Sequence, residues 1–250
     1  MITREDSDGI AVLRMAHGKV SALDTEFNIA FVRELNRAAE SDSRALIITG
    51  TGSAFSAGVD LFKVLDGGRD YLRDFLPSMT LFFMTLLTFP KPVVAAINGH
   101  AIAGGCIIAA ACDYRVMAEG TGRIGVPELA VGVPFPVLPF EIVRARVTPT
   151  NFRHLVFSGR TVQAEEALQL GLIDEVAPPD VVLTRARAAA EQLTLIPAVT
   201  FALTKRSFNE PVLERVRNAA SLNDEVLESW ASPAVQAQIR AYLQKTVAKK

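Results

Sequence analysis

Apolar runs of five or six residues recur through the first half of the chain, each followed by glycines and small polar residues. Ile10 to Met15, Ala45 to Thr49 and Val93 to Ile97 have strand length, and the last two are apolar almost throughout, which predicts strands covered on both faces. Further strands are expected from Tyr114 to Ala118 and from Leu172 to Val176. Helical patterns lie between them. Asp24 or Thr25 can cap a helix running to about Glu40, with Phe27, Phe31, Val32 and Leu35 on one face and Arg33, Glu34 and Arg37 on the other. Gly67-Gly68 breaks the chain before a Phe- and Leu-rich helix from Asp70 to Leu87. After the Asn98-Gly99 turn and the Gly104-Gly105 pair, the uncharged run Cys106 to Ala111 predicts a buried helix.

The chain turns helical from about Pro139, and Thr161 caps a short helix ending at Gly171. Pro178-Pro179-Asp180 then opens a helical tail through Ala190, Leu203, Val216 and Leu227. Strands alternating with helices indicate an α/β core with parallel pairings. The tail indicates a C-terminal helical subdomain, so the expected division is residues 1–190 and 191–250.

Composition narrows the function classes. A length of 250 residues is near the upper limit for one hydrophobic core. The formal net charge is −1, and no basic block stands out except Lys249-Lys250, so an extended nucleic-acid surface is not expected. The polar start, MITREDSDG, predicts no signal peptide, and no run reaches the ~18 uncharged apolar residues of a membrane span. Cys106 and Cys112 fit no metal spacing and are expected to be core residues of a reducing, cytoplasmic compartment.

Several chemistries lack their residues. Gly99-x4-Gly104-Gly105 has the spacing of a phosphate loop without its Lys or Ser/Thr, and no G-x-G-x-x-G follows either glycine-bearing strand. Ala54-Phe55-Ser56-Ala57-Gly58 nearly matches a nucleophile turn, with His100 and His154 downstream, but Ser56 stands too far past Thr49. The three histidines, His17, His100 and His154, are widely separated and predict no metal site.

Two glycine-bearing turns remain, each after a buried strand, together with Glu128 in the apolar, proline-rich stretch GVPELAVGVPFP. Backbone N–H groups from two such turns can converge on one oxygen and form an oxyanion hole. A lone buried carboxylate is costly to charge, so its pKa rises and it can serve as a base near neutrality. The same features also have structural readings: the glycines allow tight packing, and Glu128 starts a helix or lies at the surface.

The segments Ala45–Leu61 (ALIITGTGSAFSAGVDL), Lys91–Arg115, Gly125–Pro134 (GVPELAVGVP) and Phe157–Val176 together resemble the crotonase superfamily, the enoyl-CoA hydratases and isomerases, over most of residues 10–180. The resemblance implies a crotonase-like spiral of ββα turns with a C-terminal helical subdomain used in oligomerisation, as a homotrimer often doubled to a hexamer. It implies an acyl-CoA thioester as substrate, with coenzyme A part of that substrate, no separate cofactor and no metal. By resemblance the oxyanion donors are the N–H groups of Val59 and Gly104. Acyl-CoA contacts fall on Val20, Ala22, Ala57, Asp60 and Leu61, and the catalytic carboxylate on Glu128.

The second glutamate of the hydratases falls on Ile107, as in isomerases of the family, which lack it. Phe135-Pro136-Val137-Leu138 replaces a small, glycine-rich segment, implying that Phe135 narrows the acyl pocket; Glu141 beyond it is expected to be a structural or surface carboxylate. The expected reaction is therefore a 3-enoyl to 2-enoyl shift. The alternatives are a weak or altered hydratase, another enolate reaction such as decarboxylation or thioester hydrolysis, and acyl-CoA binding without catalysis.

Overall fold

The computed structural model describes residues 1–247, and Lys249-Lys250 lies outside the described residues. The chain opens with a hairpin, β1 (Ile2–Ser7) and β2 (Ile10–Met15), turning at Asp8-Gly9 with both residues at positive φ. β1 is not expected from the polar N-terminus; it is an edge strand, mostly exposed, so burial imposes little apolar pattern on it. α1 (Thr25–Glu40) follows, capped by Asp24, whose side chain accepts from Phe27 N. Glu34, expected on its polar face, is buried and held by Arg37 at 2.9 Å.

Then come β3 (Ala45–Thr49), β4 (Ala54–Ser56) and α2 (Leu61–Leu87). α2 starts before the glycines rather than after them, because Asp60 caps it; Gly68 interrupts it with φ 54° and ψ −140°. Next are β5 (Val93–Ile97), β6 (His100–Ile102), α3 (Gly104–Ala111), β7 (Tyr114–Ala118), β8 (Ile124–Gly125) and α4 (Glu128–Val131). α5 (Val137–Arg144), α6 (Pro149–Ser158), β9 (Thr161–Val162), α7 (Ala164–Leu170) and β10 (Glu175–Ala177) complete the mixed region. Thr161 is thus a strand residue paired with Gly125, and Gln163 takes the position before α7; the final strand also lies later than Leu172–Val176. The C-terminal helices are α8 (Val182–Thr194), α9 (Ala198–Asn218), α10 (Leu222–Ala231) and α11 (Pro233–Val247).

The strands sort into two sheets. One has the order β1-β2-β3-β5-β7-β10, parallel except at β1; the other is β4-β6-β8-β9, parallel except at β9. From β3 to β8, consecutive strands alternate between the sheets, giving the turns β3-β4-α2, β5-β6-α3 and β7-β8-α4. Strand alternation divides the core. Leu46, Ile48, Ala95 and Ile97 join the interior cluster, while Ala45, Ile47, Val94 and Ala96 meet Val182, Ala186 and Ala190 of α8 on the opposite face. Both faces of β3 and β5 are therefore covered, as their apolar runs require. The division drawn after residue 190 falls inside α8, which is part of this layered core. No described helix is long and apolar enough to cross a membrane.

Candidate active site

Parallel pairing of β4 with β6 sets the two glycine-bearing loops side by side. Gly58 lies at φ 80°, and a Cβ there would stand 2.9 Å from Gly104 N and 2.7 Å from Ile102 O. Gly105 is packed against backbone, since a Cβ on it would meet Ser56 O at 2.2 Å. Both readings of the glycines hold: one gives the close approach of two loops, the other gives packing.

The approach presents two N–H groups. Leu23 forms a parallel bridge with Val59: Leu23 N donates to Gly58 O at 2.7 Å, and Asp60 N donates to Leu23 O at 2.9 Å. Alternation along the extended backbone turns the Val59 N–H the other way. Gly104 opens α3, where first-turn N–H groups have no partner inside the helix. Among the described residues, neither Val59 N–H nor Gly104 N–H donates to a protein acceptor.

Glu128 opens α4 after Pro127 and is 7% exposed. Its Oε2 is buried without a hydrogen-bond partner among the described residues. Burial pushes its pKa up from the ordinary 4.5 to about 8, because no cation offsets the lost hydration of the charged form.

One cavity of about 610 Å³, including its mouth, gathers Ala57, Val59, Leu61, Gly104, Ile107 and Glu128 in its lining. Sequence reasoning does not single out Met79, Trp230 and Tyr242, which also line it. They come from α2, α10 and α11, and no local pattern distinguishes them from ordinary core residues. Trp230 is pinned by donating Nε1–H to Pro134 O at 2.9 Å. Among the described residues of this lining, Glu128 is the only carboxyl.

Other sequence-predicted residues lie elsewhere. Val20 supports the first loop by accepting from Ala57 N at 2.9 Å, and Ala22 stands half-buried beside Leu23. The Asp60 side chain is used as a helix cap, accepting from Phe62 N at 3.0 Å and Lys63 N at 3.1 Å. Phe135 does not line the cavity; it packs edge-on against Phe140, with ring centroids 5.8 Å apart, and Pro136 and Pro139 form the wall instead. The cause is local, since α5 begins just past Phe135 and carries Phe140 on the side its ring joins.

Ser56 is fully buried and donates to Ser21 O at 2.7 Å, so its hydroxyl is sealed within the loop support. Glu141 is buried in ion pairs with Arg144 and Arg215. Cys106 and Cys112 are free and buried; desolvation raises both thiols, Cys112 to about 12. No cluster of three His, Cys, Asp or Glu side chains suited to a metal occurs among the described residues.

Comparison with known proteins adds a family. Residues 5–249 match the family described as enoyl-CoA hydratase/isomerase. A putative enoyl-CoA hydratase of Thermus thermophilus is 40% identical over 171 residues, 67% of this chain and 66% of that protein. Enoyl-CoA delta isomerase 1, mitochondrial, of Rattus norvegicus is 29% identical over 257 residues, 100% of this chain and 88% of that protein. Among solved structures, human mitochondrial delta3-delta2-enoyl-CoA isomerase superposes with a TM-score of 0.94 at 25% identity, covering 100% of this chain and 99% of that one. A probable enoyl-CoA hydratase of Mycobacterium tuberculosis superposes with a TM-score of 0.85 at 33% identity, covering 91% of this chain and 97% of that one.

Proposed function

The chain belongs to the enoyl-CoA hydratase/isomerase family, and from that premise we propose that it is an isomerase moving the double bond of a 3-enoyl-CoA to the 2-position. In this reading the thioester oxygen sits between the Val59 and Gly104 N–H groups. Glu128 takes a proton from C2, and the electron pair moves onto the thioester oxygen as a dienolate. The same carboxyl returns the proton at C4, giving the conjugated 2-enoyl thioester with no net gain or loss of atoms. Each oxyanion donor is typically worth ~3 kcal/mol of barrier. Coenzyme A enters as part of the substrate, so the reaction needs no separate cofactor.

The observation that supports isomerisation over hydration is the make-up of the cavity wall, where Glu128 is the only carboxyl among the described residues and Ile107, onto which the family resemblance maps the second hydratase glutamate, is an apolar part of the lining. Hydration has to orient water and move two protons; one carboxyl in an apolar cavity suits a proton shuttle better. Glu128→Gln is expected to lower turnover of a 3-enoyl thioester by 10²–10⁴, on the order of a lost general base, while binding of a saturated acyl-CoA persists. Full turnover by that variant would refute the assignment.

The second reading is a hydratase, favoured by the name of the 40%-identical Thermus relative. Product analysis on 2-enoyl and 3-enoyl thioesters separates the two, and also exposes decarboxylation, thioester hydrolysis or binding without conversion. We further propose assembly as a homotrimer or hexamer, supported by the exposed apolar side chains Leu195, Val199, Leu203 and Phe208 around α9. A cytoplasmic setting is supported by the two free cysteines.

A further inference from the structure

Leu23 governs where the Val59 N–H points, because it holds the backbone on both sides of Val59 through Gly58 O and Asp60 N. The next residue, Asp24, is 1% exposed. Its Oδ1 accepts from Phe27 N at 2.7 Å, and its Oδ2 accepts from His17 Nε2 at 2.7 Å and Lys63 Nζ at 2.6 Å. One carboxylate thereby closes the loop 17–24, caps α1 and reaches into the first turn of α2.

A helix cap needs only the first of these contacts, and Asn would supply it. The Lys63 contact ties a different element. Lys63 lies just past Asp60, in the part of α2 that Gly68 separates from the rest of the helix by its non-helical backbone. The stretch Val59 to Gly67 is thus anchored at one end by Leu23 and, four residues past Val59, by the Lys63–Asp24 pair. Against burial, which would raise it, the hydrogen bonds from Lys63, Phe27 N and His17 together hold Asp24 below the usual carboxylate range, so it is charged wherever the protein is near neutral pH.

We infer that Asp24, acting with Lys63 and His17, is a positioning residue that holds the Val59 N–H in place to receive the developing thioester enolate. The inference rests on the oxyanion role proposed for Val59 and names the device that fixes it.

The test compares Asp24→Asn, which keeps the cap and the shape, with Lys63→Met and Lys63→Arg in the full-length protein. Turnover of a 3-enoyl thioester is measured together with binding of two ligands: a 3-ketoacyl-CoA, whose enolate resembles the intermediate, and the saturated acyl-CoA of equal length. A displacement of about 1 Å at a reacting centre costs on the order of 100-fold. Asp24→Asn and Lys63→Met are therefore each expected to lower kcat by roughly 10- to 100-fold with KM within about twofold, the signature of an interaction made only in the transition state. Binding of the enolate analogue should weaken while saturated acyl-CoA binding holds, and Lys63→Arg should restore kcat.

Unchanged kcat, or equal weakening of both ligands, would overturn the inference. If Asp24→Asn fails to fold, Lys63→Met decides it, since its side chain is half-exposed. If the unmodified protein itself binds the enolate analogue no better than the saturated one, the oxyanion assignment fails instead.

Discussion

Replacing Glu128 by Gln should stabilise the protein while disabling it, and the size of the gain should depend on pH. The native carboxyl titrates near 8, against 4.5 for an ordinary glutamate. Between those values the folded state keeps a proton that the unfolded chain has released, so the free energy of unfolding falls as pH rises through this window. At about 1.4 kcal/mol per pH unit the full loss is about 5 kcal/mol, reached above pH 8, of which about 3 kcal/mol has accrued by pH 7. Below pH 4.5 both states are protonated and the loss vanishes.

The amide of the Glu128→Gln variant carries no charge at any pH, so its own burial adds a constant offset and no slope. Urea unfolding of both proteins, at matched concentration from pH 5 to 8, should show the variant gaining on the order of 3 kcal/mol relative to the unmodified protein. Other titrating groups are common to both and cancel in the difference. Parallel curves would mean that the cavity hydrates Glu128 well, and the case for a poised base would fall with them. The activity of the unmodified protein should rise with pH through the same value of about 8, because the base form is the one that accepts the C2 proton.

Two further outcomes follow from the packing. Ile107→Glu places a second carboxyl in the lining of the cavity and should raise hydration of a 2-enoyl thioester above the level of the unmodified protein, assayed by loss of the conjugated chromophore; no gain would show that Ile107 is not what excludes hydration. Lys205→Met leaves Asp113, 2.7 Å from the buried Lys205 ammonium, without its counter-charge. It should cost about 3 kcal/mol in urea unfolding, as breaking a buried pair does, and a cost under about 1 kcal/mol, the level of a surface pair, would contradict that placement.

Much of this protein is legible in the order of its residues because the relevant physics is local. The apolar runs at Ala45–Thr49 and Val93–Ile97 could only be strands buried on both faces, and α8 and the interior do cover them. Asp24 announces α1 by its capping chemistry. Glu128, isolated among prolines and aliphatic residues, already indicates a carboxyl whose charge is hard to solvate. The family motifs place Val59, Gly104 and Ile107, and all three line one cavity.

The second sheet is not legible in this way. β4, β6, β8 and β9 are two or three residues long, too short for a period of two to show, and they exist because pairing with one another satisfies their backbone groups. Phe135 has the bulk of a pocket residue, yet its ring packs edge-on against Phe140 of α5 instead. Trp230 and Tyr242 reach the cavity from helices more than a hundred residues beyond Gly104 in sequence, and only the packing of α10 against α2 and of α11 against α2 and α4 puts them there. The Asp24–Lys63 pair joins two helix starts brought together by the packing of α1 on α2 and by the bridge from Leu23 to Val59. Local patterning determined which atoms could do chemistry; long-range packing decided which of them share a cavity and what holds them still.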